Sequence, residues 1–253
     1  MRAAAANARD SRLAARAESG DRLARRLDEA FRLPREESGA ALQDLFARTS
    51  LDQFIAYYVS SHGAPHYAMP WRGRLMTKLP FDFALYPALL EETKPRVLLE
   101  VGSQRGTSSL YFASLVSPWG GEVVSVDINE PPALGEMEDA GIRFIHGDAT
   151  DEATANRIRA AIGGRSAMVV DDGSHSYRDV LAAARLYSAA VPPGGYYVVE
   201  DAFSIRLNEG GRDPDALDAV DDFLAEQPSF ERDTRYDRFV LLSAFRGILR
   251  RRV

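Results

Sequence analysis

The chain has no cysteine. That absence removes a disulfide scaffold, a thiol nucleophile and a thiolate metal site together. Histidine occurs four times, and of 31 basic residues only Lys78 and Lys94 are lysine. The arginine excess reads as the coding bias of a GC-rich genome. No stretch approaches the roughly 18 uninterrupted apolar residues of a membrane span, so neither membrane insertion nor a membrane partner is expected. Positive charge is also lacking: the formal net charge is −6, whereas a dedicated nucleic-acid binder is usually basic. What remains is ordinary globular composition, 45% hydrophobic and 27% charged over 253 residues. That suits one α/β domain with an appendage.

The first 33 residues are rich in arginine and alanine, but Asp10, Glu18, Asp21, Asp28 and Glu29 interrupt them. Transit peptides are poor in acids, and no apolar signal core comes after, so a cytoplasmic protein is expected. Apolar spacing predicts helices over Ser11–Phe31, Gly39–Arg48 and Leu51–Ser61, an accessory layer that could pack on the main domain or on another subunit. His62–Pro80, with two glycines, three prolines, Tyr67, Met69 and Trp71, reads as an aromatic loop or lid. A helix over Phe81–Thr93 comes next. The expected division is 1–94, helical accessory region and lid, and 95–253, the main domain.

From Arg96 the rhythm is strand, turn, helix. Short β-branched runs stand at Arg96–Val101, Glu122–Asp127, Ile142–His146, Ala167–Asp171 and Tyr196–Glu200. Helical segments fall near 107–116, 131–140, 150–162 and 176–190. Nearly continuous apolar strands alternating with helices predict a parallel sheet covered on both faces. Phe230–Arg232 and Arg238–Leu242 suggest an antiparallel hairpin closing a seven-stranded, mostly parallel sheet.

In open α/β sheets ligands bind beyond the carboxyl ends of the strands, so the residues after each strand matter most. Gly102 and Gly106 form G-x-x-x-G, a tight turn onto a helix whose free N–H groups could take a carboxylate or phosphate. It is not the G-x-G-x-x-G dinucleotide fingerprint. Asp127, ending the second strand, could accept ribose hydroxyls or merely cap a helix. Gly147-Asp148-Ala149 could flank adenine. Asp171-Asp172-Gly-Ser-His175 and Glu200-Asp201 end the fourth and fifth strands. Acids at neighbouring strand ends would repel, and a hard dication such as Mg²⁺ relieves that. Capping helices or pairing with arginines is the structural alternative. Glu200 and Asp201 could both ligate only if the chain leaves the strand there, because consecutive strand residues point to opposite faces. His175, three residues past Asp172, suits a base for a hydroxyl proton. His62, His66 and His146 read as structural.

The segments LLEVGSQRGTSS, VVSVDIN, HGDAT, VVDDGSHSY and PGGYYVVED resemble, in order, the motifs of class I S-adenosylmethionine-dependent methyltransferases. The DDGSH and GGxYVxED pair is similar to that of Mg²⁺-dependent natural-product O-methyltransferases of the mycinamicin sugar type. The stretch WRGRLMTKLPFDFALYPALLEETKPRVLLEVGSQRGTSS resembles the cephalosporin hydroxylase/rhamnosyl O-methyltransferase family. The resemblance implies a Rossmann-like fold, with S-adenosylmethionine and Mg²⁺ as cofactors. It puts the metal on Asp172, Glu200 and Asp201 and the base on His175. The cofactor's methionine end falls to Glu100, Gly102, Gln104, Gly106 and Ser108, and its ribose to Asp127. Asp148 would lie near adenine and Asp171 near the methionine part. The implied reaction is methyl transfer to a hydroxyl of a small-molecule acceptor such as a sugar or natural product. An assembly of copies through the amino-terminal helices is expected by analogy alone. Three rivals stay open: a metal-independent methyltransferase on another group, a nicotinamide oxidoreductase, and a silent subunit keeping the fold. Tyr67–Trp71 and Phe203–Asp213 are expected to shape the acceptor pocket.

Overall fold

The computed structural model describes residues 22–23, 25–50, 53, 68–202, 214–239 and 242–253. The expected helix over Leu51–Ser61 and the acceptor loop Phe203–Asp213 lie outside them, as does most of the helix expected over Ser11–Phe31. The chain divides into two compact units, Met1–Met69 and Pro70–Val253. In the first, residues 25–32 are helical and α1 runs Arg35–Arg48, starting four residues before the expected Gly39. Pro34 stands at its N-cap and Glu36 and Glu37 lie in its first turn, where the helix dipole favours acids.

The division falls before the expected 94/95 because α2, Asp82–Thr93, buries Leu85, Tyr86, Leu89 and Leu90 in the core of the second unit. The expected loop over His62–Pro80 also contains regular structure: β1 (Ala68–Trp71) and β2 (Arg74–Thr77) form a two-stranded sheet. Arg72 and Gly73 join them, both at positive φ (48° and 77°). A two-residue hairpin needs that geometry to match strand twist. Aromatic weight without a clear period hid these strands.

The main sheet has seven strands: β3 (Val97–Val101), β4 (Glu122–Asp127), β5 (Arg143–His146), β6 (Ala167–Asp171), β7 (Tyr196–Val199), β8 (Phe230–Arg232) and β9 (Ile248–Arg251), in the order β5-β4-β3-β6-β7-β9-β8. The pairs among β3 to β7 are parallel, and β9 runs antiparallel to both β7 and β8. The seven-stranded sheet with a closing hairpin is as expected, but its last strand is Ile248–Arg251 and not Arg238–Leu242. The chain can enter β9 because Gly247 lies against the backbone of Val199. A Cβ there would stand 2.0 Å from the Val199 carbonyl oxygen.

The two-residue period of the strands sorts their side chains. Val97, Leu99, Val101, Val169, Tyr197 and Val199 face one core with α5 (Glu152–Ile162), α6 (Tyr177–Tyr187) and α7 (Ala216–Glu226). Leu98, Met168, Val170, Tyr196 and Val198 face the other, with α2, α3 (Thr107–Val116) and α4 (Leu134–Asp139). Continuing the alternation puts Glu100, Asp172 and Glu200 toward the α2–α3 side, and Asp171 toward the α6–α7 side. Helix α7 had no counterpart among the expected elements. Asp215 starts it with a reciprocal capping box to Asp218.

Candidate active site

Strand order reverses between β3 and β6, so their carboxyl ends open a crevice. On the β3 side, Gly106 (φ 78°) is the N-cap of α3, and among the described residues no side-chain cap is made there. Its first amides are therefore available to an anion or polar ligand. Gly102 (φ 88°) is packed against the loop after β6. A Cβ at 102 would lie 2.2 Å from the Asp172 carbonyl oxygen. The Gln104 backbone N–H donates to Asp127 Oδ2 at 2.8 Å, and the Asn129 N–H donates to Oδ1 at 2.8 Å. Each Asp127 oxygen retains acceptor capacity for a hydroxyl.

Glu100 is fully buried at the end of β3. Burial pushes its carboxyl up to about 7, against Lys78 and the hydroxyls of Ser108 and Ser109, which favour the charged form. Ser109 donates to Glu100 Oε2, and Ser125 lies 3.4 Å from the same oxygen. The other oxygen, Oε1, has no hydrogen-bond partner among the described residues, nor has the buried Ser103 hydroxyl. Two unmatched polar atoms in one strand–helix turn fit a ligand that supplies donors there.

Asp172, His175 and Asp201 each present a ligand atom within 4.8 Å of the others, and all three are partly buried. His175 Nε2 lies 3.8 Å from Asp172 Oδ1. His175 and Asp201 hold φ of 55° and 54°. Such left-handed backbone is uncommon in non-glycine residues and concentrates at functional sites. For Asp201 it has a clear consequence. The strand ends at Val199, and the turn at 201 swings that carboxylate to the side of Asp172 and His175.

Glu200 is placed differently from the expected ligand trio. Its Oε2 accepts from Lys78 Nζ at 2.6 Å, its Oε1 accepts from the Tyr86 hydroxyl, and the residue is buried. Lys78 Nζ also donates to Asp172 Oδ2 at 2.7 Å. Burial works against the Lys78 charge, but Asp172 and Glu200 outweigh it and hold its pKa well above the ordinary value. Burial and the neighbouring Asp172 push Glu200 up. Below them Asp82, pushed up to about 8 by burial and by Glu200, accepts the Leu79 and Ser243 backbone N–H groups at 2.7 and 3.1 Å. It thereby fixes the segment that delivers Lys78.

Asp171 sits on the opposite face, as its parity requires. Tyr197 donates to it at 3.0 Å, and burial pushes its carboxyl up to about 7. Asp148 binds the Thr150 backbone N–H and hydroxyl, which hold its pKa below the usual value. Both remain near their strand ends without joining the acidic cluster. Ser108 lies in the first turn of α3 beside Glu100.

Lys78 is the residue that sequence reasoning missed. Its one signal was rarity: lysine occurs twice in the chain, and the other, Lys94, pairs with Glu91 at the surface. Assigning the bias to coding alone discards that signal.

Crevice, glycine turn and strand order are those of a class I S-adenosylmethionine-dependent O-methyltransferase. Over residues 64–252 the chain matches the Rhamnosyl O-methyltransferase/CmcI family, and it belongs to that family. It is 32% identical over 136 residues to a rhamnosyl O-methyltransferase of Mycobacterium leprae, an alignment covering 52% of this chain and 59% of that protein. It is 29% identical over 181 residues to one of Mycobacterium tuberculosis, covering 66% and 72%. Among solved structures, CmcI with Mg and S-adenosylmethionine aligns over 81% of this chain and 85% of that one, with a TM-score of 0.58 and 22% identity. No helix among the described residues is long and apolar enough to cross a membrane.

Proposed function

We propose that the protein transfers the methyl group of S-adenosylmethionine to a hydroxyl of a small glycosidic acceptor, with Mg²⁺ at the acidic cluster and His175 as base. The observation that carries this reading is the meeting of Asp172, His175 and Asp201 at the strand-order reversal, beside the glycine turn. The family name and its mycobacterial relatives supply the sugar. The unmatched Glu100 and Ser103 atoms and the uncapped α3 terminus suit the polar methionine end of the cofactor. Asp127 suits its ribose.

Asp172 and Asp201 would hold the metal, since Mg²⁺ is commonly bound by one or two carboxylates with water or substrate completing its shell. Glu200 would join them only on leaving Lys78. The metal, when bound, lowers the pKa of a hydroxyl and orients it. His175 then takes the hydroxyl proton on its ring nitrogen as the oxygen bonds to the methyl carbon and the sulfur–methyl bond breaks. Asp172, one carboxylate oxygen toward His175, stabilises the imidazolium that results. The protein contributes alignment, and the sulfonium supplies the reactive carbon.

The test is methyl transfer from labelled cofactor to p-nitrophenyl rhamnoside, with and without EDTA. Removing the base in His175→Ala should lower turnover about 10²- to 10⁴-fold, and Asp172→Asn should do so comparably. Wild-type turnover in both variants would overturn the assignment. A metal-independent transferase is the second reading. Lys78 favours it by already placing a positive charge between two of the acids. Turnover unaffected by EDTA would select it.

A further inference from the structure

Asp82 is the first residue of α2 and is fully buried, and it stands at none of the strand ends that carry the candidate site. Its two oxygens serve two segments. Oδ2 accepts the Leu79 N–H at 2.7 Å, on the chain that enters α2, and Oδ1 accepts the Ser243 N–H at 3.1 Å, on the chain that leads to β9. The same two segments meet a second time, where the Phe81 and Phe239 rings stand 5.7 Å apart. Ser243 carries the connection onward. Its carbonyl oxygen accepts the Asp201 N–H at 2.8 Å, and the Gly247 carbonyl accepts the Val199 N–H at 2.8 Å. Residues 243–247 therefore run beside 199–201 and hold the chain there after the pairing of β7 with β9 has ended.

A carboxylate is the side chain this junction requires. Both groups that face it are N–H donors, and an ionised carboxyl accepts on either oxygen, whereas an amide would turn its own NH₂ toward one of them. A buried N–H left without an acceptor is costly, so the junction holds best when both are met. Beyond it, Asp201 keeps a φ of 54°, the turn that brings its carboxylate to Asp172 and His175. A non-glycine residue stays in left-handed backbone only where its surroundings over-determine it. The bond to the Ser243 carbonyl is part of that determination. We propose that Asp82 is a positioning residue for the acidic cluster, which holds the left-handed turn at Asp201 through the Ser243 backbone. The inference rests on the reading that Asp201 helps to bind a divalent ion. Asp82 touches neither ion, cofactor nor acceptor in this account. It acts through main-chain groups, so the direction of the Asp201 carboxylate is set from the start of α2, more than a hundred residues away in sequence.

The experiment combines amide hydrogen–deuterium exchange of the full-length protein with two titrations: Mn²⁺, followed by its free-ion paramagnetic resonance signal, and S-adenosylhomocysteine, by calorimetry. In Asp82→Asn the amides of 199–202 and 242–247 should exchange about tenfold faster or more, as a local opening does. Mn²⁺ binding should weaken by about tenfold or more, the usual cost of losing a group that holds a ligand from behind. Binding of S-adenosylhomocysteine should stay within about threefold of wild type, because that site draws on β3 and β4. Ser243→Pro removes the N–H and leaves every charge in place. It should reproduce all three results, and it decides the matter where Asp82→Asn fails to fold. Unchanged exchange at 199–202, or faster exchange with unchanged Mn²⁺ affinity, overturns the proposal. Weaker Mn²⁺ binding in Asp82→Asn but not in Ser243→Pro would show that Asp82 acts by its charge, and overturns it. Faster exchange spread over the whole chain, with S-adenosylhomocysteine binding lost as well, would mark a purely structural aspartate and overturn it too. If wild type binds S-adenosylhomocysteine but no Mn²⁺, the metal reading has failed, and the proposal falls for that reason even where exchange at 199–202 has risen.

Discussion

The second unit carries two dense charge networks, and they differ in what surrounds them. At the carboxyl edge of the sheet, Lys78, Asp172, Glu200 and Tyr86 form a compact group with Lys78 and Glu200 side chains each 2% exposed. Elsewhere on the α2–β7 layer, Arg235 bridges Glu92, Asp233 and the Tyr196 hydroxyl, and Arg250 reaches Glu92 at 3.1 Å. There the Arg235 side chain is 53% exposed and Glu92 31%. The outer network uses arginine, whose planar fork reaches several acceptors at once. The inner one uses lysine, a compact charge that fits between two carboxylates. Water reaches Arg235 and Glu92 in the first, though not the buried Asp233, and is nearly absent from Lys78 and Glu200 in the second. The same chemistry is thus an exposed tether in one place and a buried charge cluster in the other.

The sharpest way to break the contrast is to remove one partner from each. Losing the ammonium in Lys78→Met leaves buried carboxylates uncompensated and should cost about 3–5 kcal/mol in urea unfolding near neutral pH. Adding Glu200→Gln should recover a large part of that loss, a coupling that a double-mutant cycle would measure. Glu100, within the electrostatic reach of Lys78, offers a pH test. Its folded pKa of about 7 lies above its ordinary value of 4.5, so the native state binds the extra proton between them. The contribution of Glu100 to stability should therefore fall by a few kcal/mol as pH rises from about 4.5 to about 7 and change little above that. Glu100→Gln should make the slope shallower in thermal melts taken across the window, while Asp171 and Asp82, also pushed up by burial, keep their share. The smallest effect belongs to the outer network. Arg235→Ala should cost at most about 1 kcal/mol and should lose even that in high salt. A loss comparable to that of Lys78→Met would erase the distinction.

Much of the scaffold was legible because buried parallel strands announce themselves as short β-branched runs. Val97–Val101, Glu122–Asp127 and Ala167–Asp171 needed little beyond that. β9 was not legible, since its entry depends on Gly247 meeting the Val199 backbone, a contact between distant segments. The β1–β2 hairpin escaped because its turn is Arg-Gly, where a sequence signal would be Asn-Gly or Asp-Gly. At the site, Asp172, His175 and Asp201 could be read from their positions just past the strand ends. The position of Glu200 could not, because it is decided by Lys78, more than a hundred residues away, and by a tyrosine on α2. Counting acids at strand ends leaves out the cation that the fold itself supplies.

The contact between Gly102 and the Asp172 carbonyl carries a mechanical consequence. With no side chain on the glycine, the turn after β3 and the loop that holds Asp172 share one partition. Widening it, as Gly102→Ala would, pushes the two loops apart in a single stroke. If the proposed function holds, a missing methyl group sets the spacing between the donor's seat and the acidic cluster.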